Sequence, residues 1–237
     1  MSCLKSILVS FSLLYGTGLG QWTSAPHDIA PYIGQVKVKG SRLCLGYFRN
    51  YNELVSPASC LAGQSSVEIY RASKTNSQGM MVSEDILKHQ YWNETRPFFY
   101  NKAVASSYAK CAADFPEIQI SSFGASREDK RDYSVVRLTN NGKLETRAFK
   151  RVSDKKCLKY HTKHESVNVG LGEPNFSKDL FCLIEQDYPK KNSLGKSDLG
   201  APAFTGEQSD VTVAGIYTAK LIRKKRTIFF FTKVADI

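Results

Sequence analysis

Lys196-Ser197-Asp198-Leu199-Gly200-Ala201-Pro202-Ala203 is the stretch whose reading decides this chain. Downstream of it come Val213-Ala214-Gly215-Ile216-Tyr217 and, close to the end, Phe231-Thr232-Lys233-Val234. Far upstream stands Pro57-Ala58-Ser59-Cys60, with Cys44 sixteen residues before Cys60. Around these segments the apolar runs are short, rich in Val, Ile, Phe and Tyr, and bounded by Gly, Asn, Ser or Asp, which is the signature of strands and turns. Strands are expected near Tyr32–Val38, Arg42–Tyr47, Leu54–Ser56, Val67–Arg71, Tyr133–Leu138, Glu145–Val152, Leu180–Ile184, Val211–Leu221 and Thr227–Val234. Thr139-Asn140-Asn141-Gly142 reads as a hairpin turn, because Asn and Gly tolerate the positive φ such turns need. Ser153-Asp154 can cap one short helix. Many short strands at fairly even spacing predict an all-β sandwich or barrel.

Taken together and in order, the four segments and the Cys44/Cys60 spacing resemble the trypsin/chymotrypsin serine proteases over nearly the whole chain. That family reads Ala-Ala-His-Cys, Gly-Asp-Ser-Gly-Gly-Pro, Gly-Ile-Val-Ser-Trp-Gly and Tyr-Thr-Lys-Val at the matching places. The narrower likeness is to short insect-type homologues without a clip domain. The resemblance implies a double six-stranded β-barrel with minimal helix and disulfides Cys44–Cys60 and Cys157–Cys182.

The same resemblance removes the chemistry. Ser59 takes the place of the general base, Leu199 that of the nucleophile and Lys102 that of the orienting aspartate. Acyl transfer needs a hydroxyl or thiol to attack and an imidazole to accept its proton. Leucine cannot attack, and serine cannot stand in for imidazole near neutral pH. A rival placement of the aspartate at Asp132 is rejected, because Tyr133–Leu138 fits a later strand of the family. Ser197 stands where an oxyanion-hole glycine belongs, and Ser193 lies near the base of the specificity pocket. Thr218-Ala219-Lys220 matches its wall, and Phe229 replaces a pocket glycine, so the slot is expected to be filled. Asp198 beside Lys196 is read as a structural buried carboxylate, which needs amides or a cation around it. The basic-Ile-Val-Gly-Gly start of an activated zymogen is absent, and so is the pocket-bracing cysteine pair, Gly195 replacing one partner. Residual hydrolysis through Ser59 or Ser197 would lack a nearby histidine. The resemblance therefore implies a binding protein, not an enzyme, with no cofactor. Its expected partner is a secreted protease, inhibitor or protease substrate.

Residues 1–20 read as a signal peptide: Lys5, the apolar run Ile7–Tyr15, and the small residues Gly18 and Gly20 before a cut at Gln21. Residues 21–237 then form the protease-like domain. The cut removes one cation, leaving 32 Lys and Arg against 22 Asp and Glu, a net charge of +10 that favours anionic partners in general. Five cysteines remain, so Cys111 is left over, either as a buried thiol or as a link to another molecule. Sequons at Asn93 and Asn175 suit an exported glycoprotein. No Cys-x-x-Cys occurs, and the four histidines are not spaced with cysteines as a zinc site requires, so no metal is expected.

Lys220, Arg223, Lys224, Lys225 and Arg226 form the most cationic stretch, expected in the loop between the last two strands. It reads as a patch for anionic glycans or microbial surfaces, as a convertase cleavage site, or as a charged hairpin tip that keeps an edge soluble. Basic residues interleaved with stacking aromatics are not found, which argues against nucleic acid. No segment after the signal is long and apolar enough for a membrane helix. Phe229-Phe230-Phe231 is expected in the core, alternate rings facing opposite sides of a strand.

Overall fold

The computed structural model describes residues 21–25, 29–38, 42–49, 53–61, 64, 67–71, 80–83, 85–88, 100–104, 132–165, 180–185, 193–205, 212–223 and 226–234. Its first strands are β1 (Thr23–Ser24), β2 (Ile33–Val38), β3 (Arg42–Phe48), β4 (Glu53–Pro57), β5 (Val67–Arg71), β6 (Met80–Ser83), β7 (Asp85–Lys88) and β8 (Tyr100–Val104). The second half holds β9 (Asp132–Leu138), β10 (Leu144–Val152), β11 (Leu180–Glu185), β12 (Pro202–Thr205), β13 (Thr212–Arg223) and β14 (Arg226–Lys233). Among the described residues the α-helices are α1 (Ala58–Leu61) and α2 (Asp154–Glu165). The all-β expectation holds.

The second half closes into a six-stranded antiparallel barrel in the order β9-β10-β11-β14-β13-β12 and back to β9. β1 is a seventh strand outside that ring. It pairs with β10 at Thr146 and Glu145, the part of that edge which β11, paired from Phe149 to Val152, leaves open. The first half is a seven-stranded sheet, β6-β5-β2-β3-β4-β8-β7. β6, paired with β5, and β7, paired with β8, are separated in sequence by residue 84 alone, so the two ends of this sheet lie on one nearly continuous stretch, in keeping with the expected six-stranded half.

Packing explains the strand pattern. Tyr133, Val135, Phe149, Phe181, Leu183, Tyr217, Phe229 and Phe231 fill the barrel interior. The alternate residues Leu180, Cys182, Ile228 and Phe230 face outward and are covered with Cys157 and Tyr160 of α2. β11 and β14 are thus buried on both faces, which is why they read as continuous apolar runs. Ile33, Tyr47 and Val55 of the first sheet meet Val136, Phe204, Val213 and Ile216 of the second in a shared cluster that glues the halves.

Three strands of the first half, β6, β7 and β8, escape the sequence reading because they are four or five residues long and mix charged with apolar positions. β12 escapes it too: all four residues are buried and the first is proline, so there is neither alternation nor a leading donor. The helix at Ser153-Asp154 is real but runs twelve residues. The hairpin at Thr139–Gly142 forms as expected, with Gly142 at φ 73° and its amide donating to the Thr139 carbonyl.

Candidate functional site

The Lys196–Gly200 stretch is laced to both halves of the molecule. Lys196–Asp198 makes one 3-10 turn, and the Asp198 Oδ2 accepts the Gly195 amide at 2.7 Å. The Leu199 carbonyl accepts the Leu45 amide of β3 at 2.7 Å, and the Gly200 amide donates to the Tyr217 carbonyl of β13 at 2.8 Å. Gly200 sits at φ +88°, where a Cβ would lie 1.7 Å from the Leu45 carbonyl oxygen and 2.9 Å from Pro57 Cδ. Only glycine lets the backbone approach that closely.

The three triad-matched positions lie on α1, on β8 and in this stretch itself. Ser59 lies half-buried on α1, directly after β4, and the Cys44–Cys60 disulfide pins α1 to β3. Ser56, at the end of β4, donates its hydroxyl to the Leu45 carbonyl at 2.8 Å. Position 102 is on β8, opposite Val55 of β4. Leu199 is partly buried with its side chain packed against the barrel-interior cluster. Ser197 and Lys196 are exposed. The second expected disulfide, Cys157–Cys182, ties α2 to β11.

The slot-matched residues form a filled interior. Phe229 is fully buried, edge-on to Phe149 at 5.5 Å and to Tyr217 at 5.9 Å. Lys220 stands opposite Phe229 in the β13–β14 register and donates from Nζ to the Leu194 carbonyl at 2.7 Å. That corrects the sequence reading of Lys220 as part of a loop-tip cluster. β13 runs on to Arg223, and Lys220 is a half-buried strand residue whose ammonium is directed inward. Thr218 donates to the Phe230 carbonyl at 3.2 Å, so the wall is bonded to its neighbouring strand.

Charges missed in the sequence gather beside this interior. Arg147, 3% exposed, pairs with Glu185 at 3.3 Å. Arg137 pairs with Glu145 at 2.8 Å and lies 4.0 Å over the Trp22 ring, with Arg147 5.7 Å from the same ring. Burial pushes the Glu185 carboxyl above the usual carboxylate range, against the pull of Arg147, the Ser193 hydroxyl, Lys220 and Arg137. Burial likewise raises Asp198, opposed by the Gly195 amide, Arg137 and Lys220. The Gly195 amide supplies the hydrogen bond to this carboxylate. The Tyr217 phenol is raised by burial and by the Asp198 charge. One sequence signal for this network existed: Arg147 occupies a buried position in the inward-outward alternation of β10.

Asn93, Asn175, Cys111, Lys224, Lys225 and the signal segment lie outside the described residues, as do the side chains of Lys102, Arg223 and Arg226. Among the described residues no cluster of three or more His, Cys, Asp or Glu is placed to hold a metal, and no helix is long and apolar enough to cross a membrane.

No protein-family model matches this sequence, and no curated protein does. Among solved structures the chain is similar to the scabies mite inactivated protease paralogue S-D1. The TM-score is 0.63 and the identity 18%, over 89% of this chain and 90% of that one. With the closed barrel, the partner sheet and the bridging loop at Gly200, that likeness identifies the fold of this chain as trypsin-like all-β.

Proposed function

We propose that this chain is a secreted, non-catalytic homologue of the trypsin-like proteases that works by binding a secreted protease, a protease inhibitor or a protease substrate. One observation carries the reading. At the position matched to the nucleophile stands Leu199, packed on the core and tied through its carbonyl to Leu45. Ser59 and Lys102 replace the imidazole and the carboxylate that would have activated a hydroxyl there. Phe229 and Lys220 occupy the interior that a substrate side chain would enter. The surface around positions 59 and 199 remains a frame for a partner, without the means to cleave it.

Two disulfides suit an oxidising compartment, and the segment 1–20 supplies the export signal in this reading. The sequons at Asn93 and Asn175 are proposed glycosylation sites. The narrower kinship with insect-type homologues without a clip domain rests on the sequence motifs.

The test is labelling of the secreted chain with a fluorophosphonate, followed by peptide mapping, beside a crosslinked pull-down from the native secretion. We expect no adduct at Ser59 or Ser197 and one dominant secreted protein in the pull-down. Stoichiometric labelling of either serine would restore the hydrolase reading and overturn this one.

A further inference from the structure

We infer that Gln21, exposed at the head of β1, is converted to a pyroglutamyl lactam once residues 1–20 are removed, so that the mature chain carries no α-ammonium beside Arg137 and Arg147. The inference rests on the export reading proposed above, with its cut before Gln21. The strand register puts the exit of the chain at this residue. Thr23 and Ser24 pair with Thr146 and Glu145 of β10. Carried one and two residues further, the same antiparallel register sets Trp22 opposite Arg147 and Gln21 opposite Ala148. From Phe149 onward that edge of β10 belongs to β11. A residue before Gln21 has no place in the sheet, so the chain upstream must turn out of it, and Gln21 itself is exposed.

Trp22 anchors this short stub. Its ring lies 6.3 Å from that of Phe149, with the Arg137 guanidinium 4.0 Å over it and the Arg147 guanidinium 5.7 Å away. Both cations are already matched, Arg137 by Glu145 at 2.8 Å and Arg147 by Glu185 at 3.3 Å. An α-ammonium newly exposed on Gln21 brings a third positive charge next to the residue that both arginines flank. Like charges this near repel, and a partly buried setting screens them less than open water does. The lactam is neutral and removes that charge.

Ring closure needs nothing that the residue does not hold. The neutral α-nitrogen attacks the side-chain carbonyl carbon Cδ, an N–Cδ bond forms, the Cδ–Nε2 bond breaks, and ammonia leaves with the proton given up by the α-nitrogen. No oxidant or co-reactant enters. Both groups sit in one residue, which gives the reaction the proximity of an intramolecular step. An α-amine is also partly neutral near pH 7. The exposure of Gln21 admits a glutaminyl cyclase acting on the exported chain. The product has no free amine for an aminopeptidase to hold, which suits a binding protein that works among secreted proteases.

The experiment expresses the full chain in a secreting eukaryotic cell and maps the N-terminus of the released protein by mass spectrometry after tryptic digestion. We expect the peptide Gln21–Lys37 lighter by one ammonia, and unreactive toward an amine-acylating reagent applied before digestion. Gln21→Ala cannot form the ring, and with its own N-terminus mapped in the same way it reports the cost of a free ammonium. It should melt a few degrees below the unmodified protein at low ionic strength, with the gap closing as salt screens the repulsion. A chain that begins at Gln21 with its amine free overturns the inference and leaves the export reading standing. A chain that retains residues 1–20, or begins elsewhere, overturns the inference together with the proposed cut. Equal melting temperatures at low salt overturn the role given to Arg137 and Arg147. None of these outcomes touches the reading of Ser59 and Leu199, which the fluorophosphonate label tests.

Discussion

At Gly200 the two halves approach closely, its α-carbon facing the Leu45 carbonyl and Pro57 at a positive φ. A methyl group there has no room and the wrong backbone, so Gly200→Ala should cost about 3 kcal/mol or more, the left-handed conformation alone accounting for roughly 1–2. The measurement is the urea midpoint with m unchanged, and a loss below about 1 kcal/mol would mean the loop relaxes freely. Asp198, 6% exposed, gives a pH prediction. Its carboxyl is raised above 3.8, so the folded state binds the proton more tightly than the unfolded chain. The stability that proton contributes is full below 3.8 and is lost as pH rises through the raised value. The melting temperature should therefore rise as pH is lowered from neutral toward the carboxylate range, and Asp198→Asn should flatten that slope. An equal slope in both proteins would show that Asp198 does not titrate as its burial requires. Leu199, Ser59 and Phe229 were legible in the sequence because each stands in a motif. Glu185 and Arg137 were not, because a charge in a strand reads as surface until its neighbours are known.

β10 is the element on which the buried charges hang. Its Arg147 faces Glu185 of β11 with 1% and 11% of the two side chains exposed, and Arg147 is the strongest of the groups that hold the Glu185 charge against burial. Arg147→Met alone should cost about 3–5 kcal/mol at neutral pH, because it leaves Glu185 charged in the interior. Arg147→Met/Glu185→Leu should recover most of that loss. The single variant's deficit should also shrink in acid, as the already raised Glu185 carboxyl takes up a proton. Chemical denaturation at two pH values checks both statements. β1 is held differently: two residues of pairing to β10, the Ala25 amide on the Leu144 carbonyl, and Trp22 against Phe149 and under Arg137. Trp22→Ala should cost about 2 kcal/mol and release the amides of residues 23–25 to fast hydrogen exchange. Unchanged exchange would assign the anchoring to pairing alone. The short strands β6, β7, β8 and β12 show the other limit of legibility. With four or five residues and no clean alternation, their existence is decided by partners far along the chain.

Over the whole molecule, the two disulfides close loops of sixteen and twenty-five residues, one in each half. Cys44–Cys60 fastens the turn that carries Ser59, and Cys157–Cys182 fastens α2. Chain-entropy arguments give about 3 kcal/mol for a loop near fifteen residues. Replacing Cys157 and Cys182 by alanine should lower the melting temperature and open the amides of α2 to fast hydrogen exchange. Replacing Cys44 and Cys60 should lower it by a similar amount and leave α2 protected. If both pairs expose α2 equally, α2 is not positioned independently of the first half.

The sequence by itself determined the strand-rich class and the hairpin at Gly142, and through its resemblance to the trypsin-like proteases it implied both disulfide pairings. All of these follow from local residue choice or from motifs that keep their order along the chain. Tertiary structure alone decided the rest. It turned Lys220 from a presumed surface cation into a strand residue bonded to Leu194, and it set Arg147 against Glu185 across two strands. It also laid α2 against β11, with Cys157 and Tyr160 clustered with Cys182 and Phe230. The physical reason is common to all three. Strand alternation says that a side chain points to one face or the other, and only barrel closure says which face is inside and what waits there.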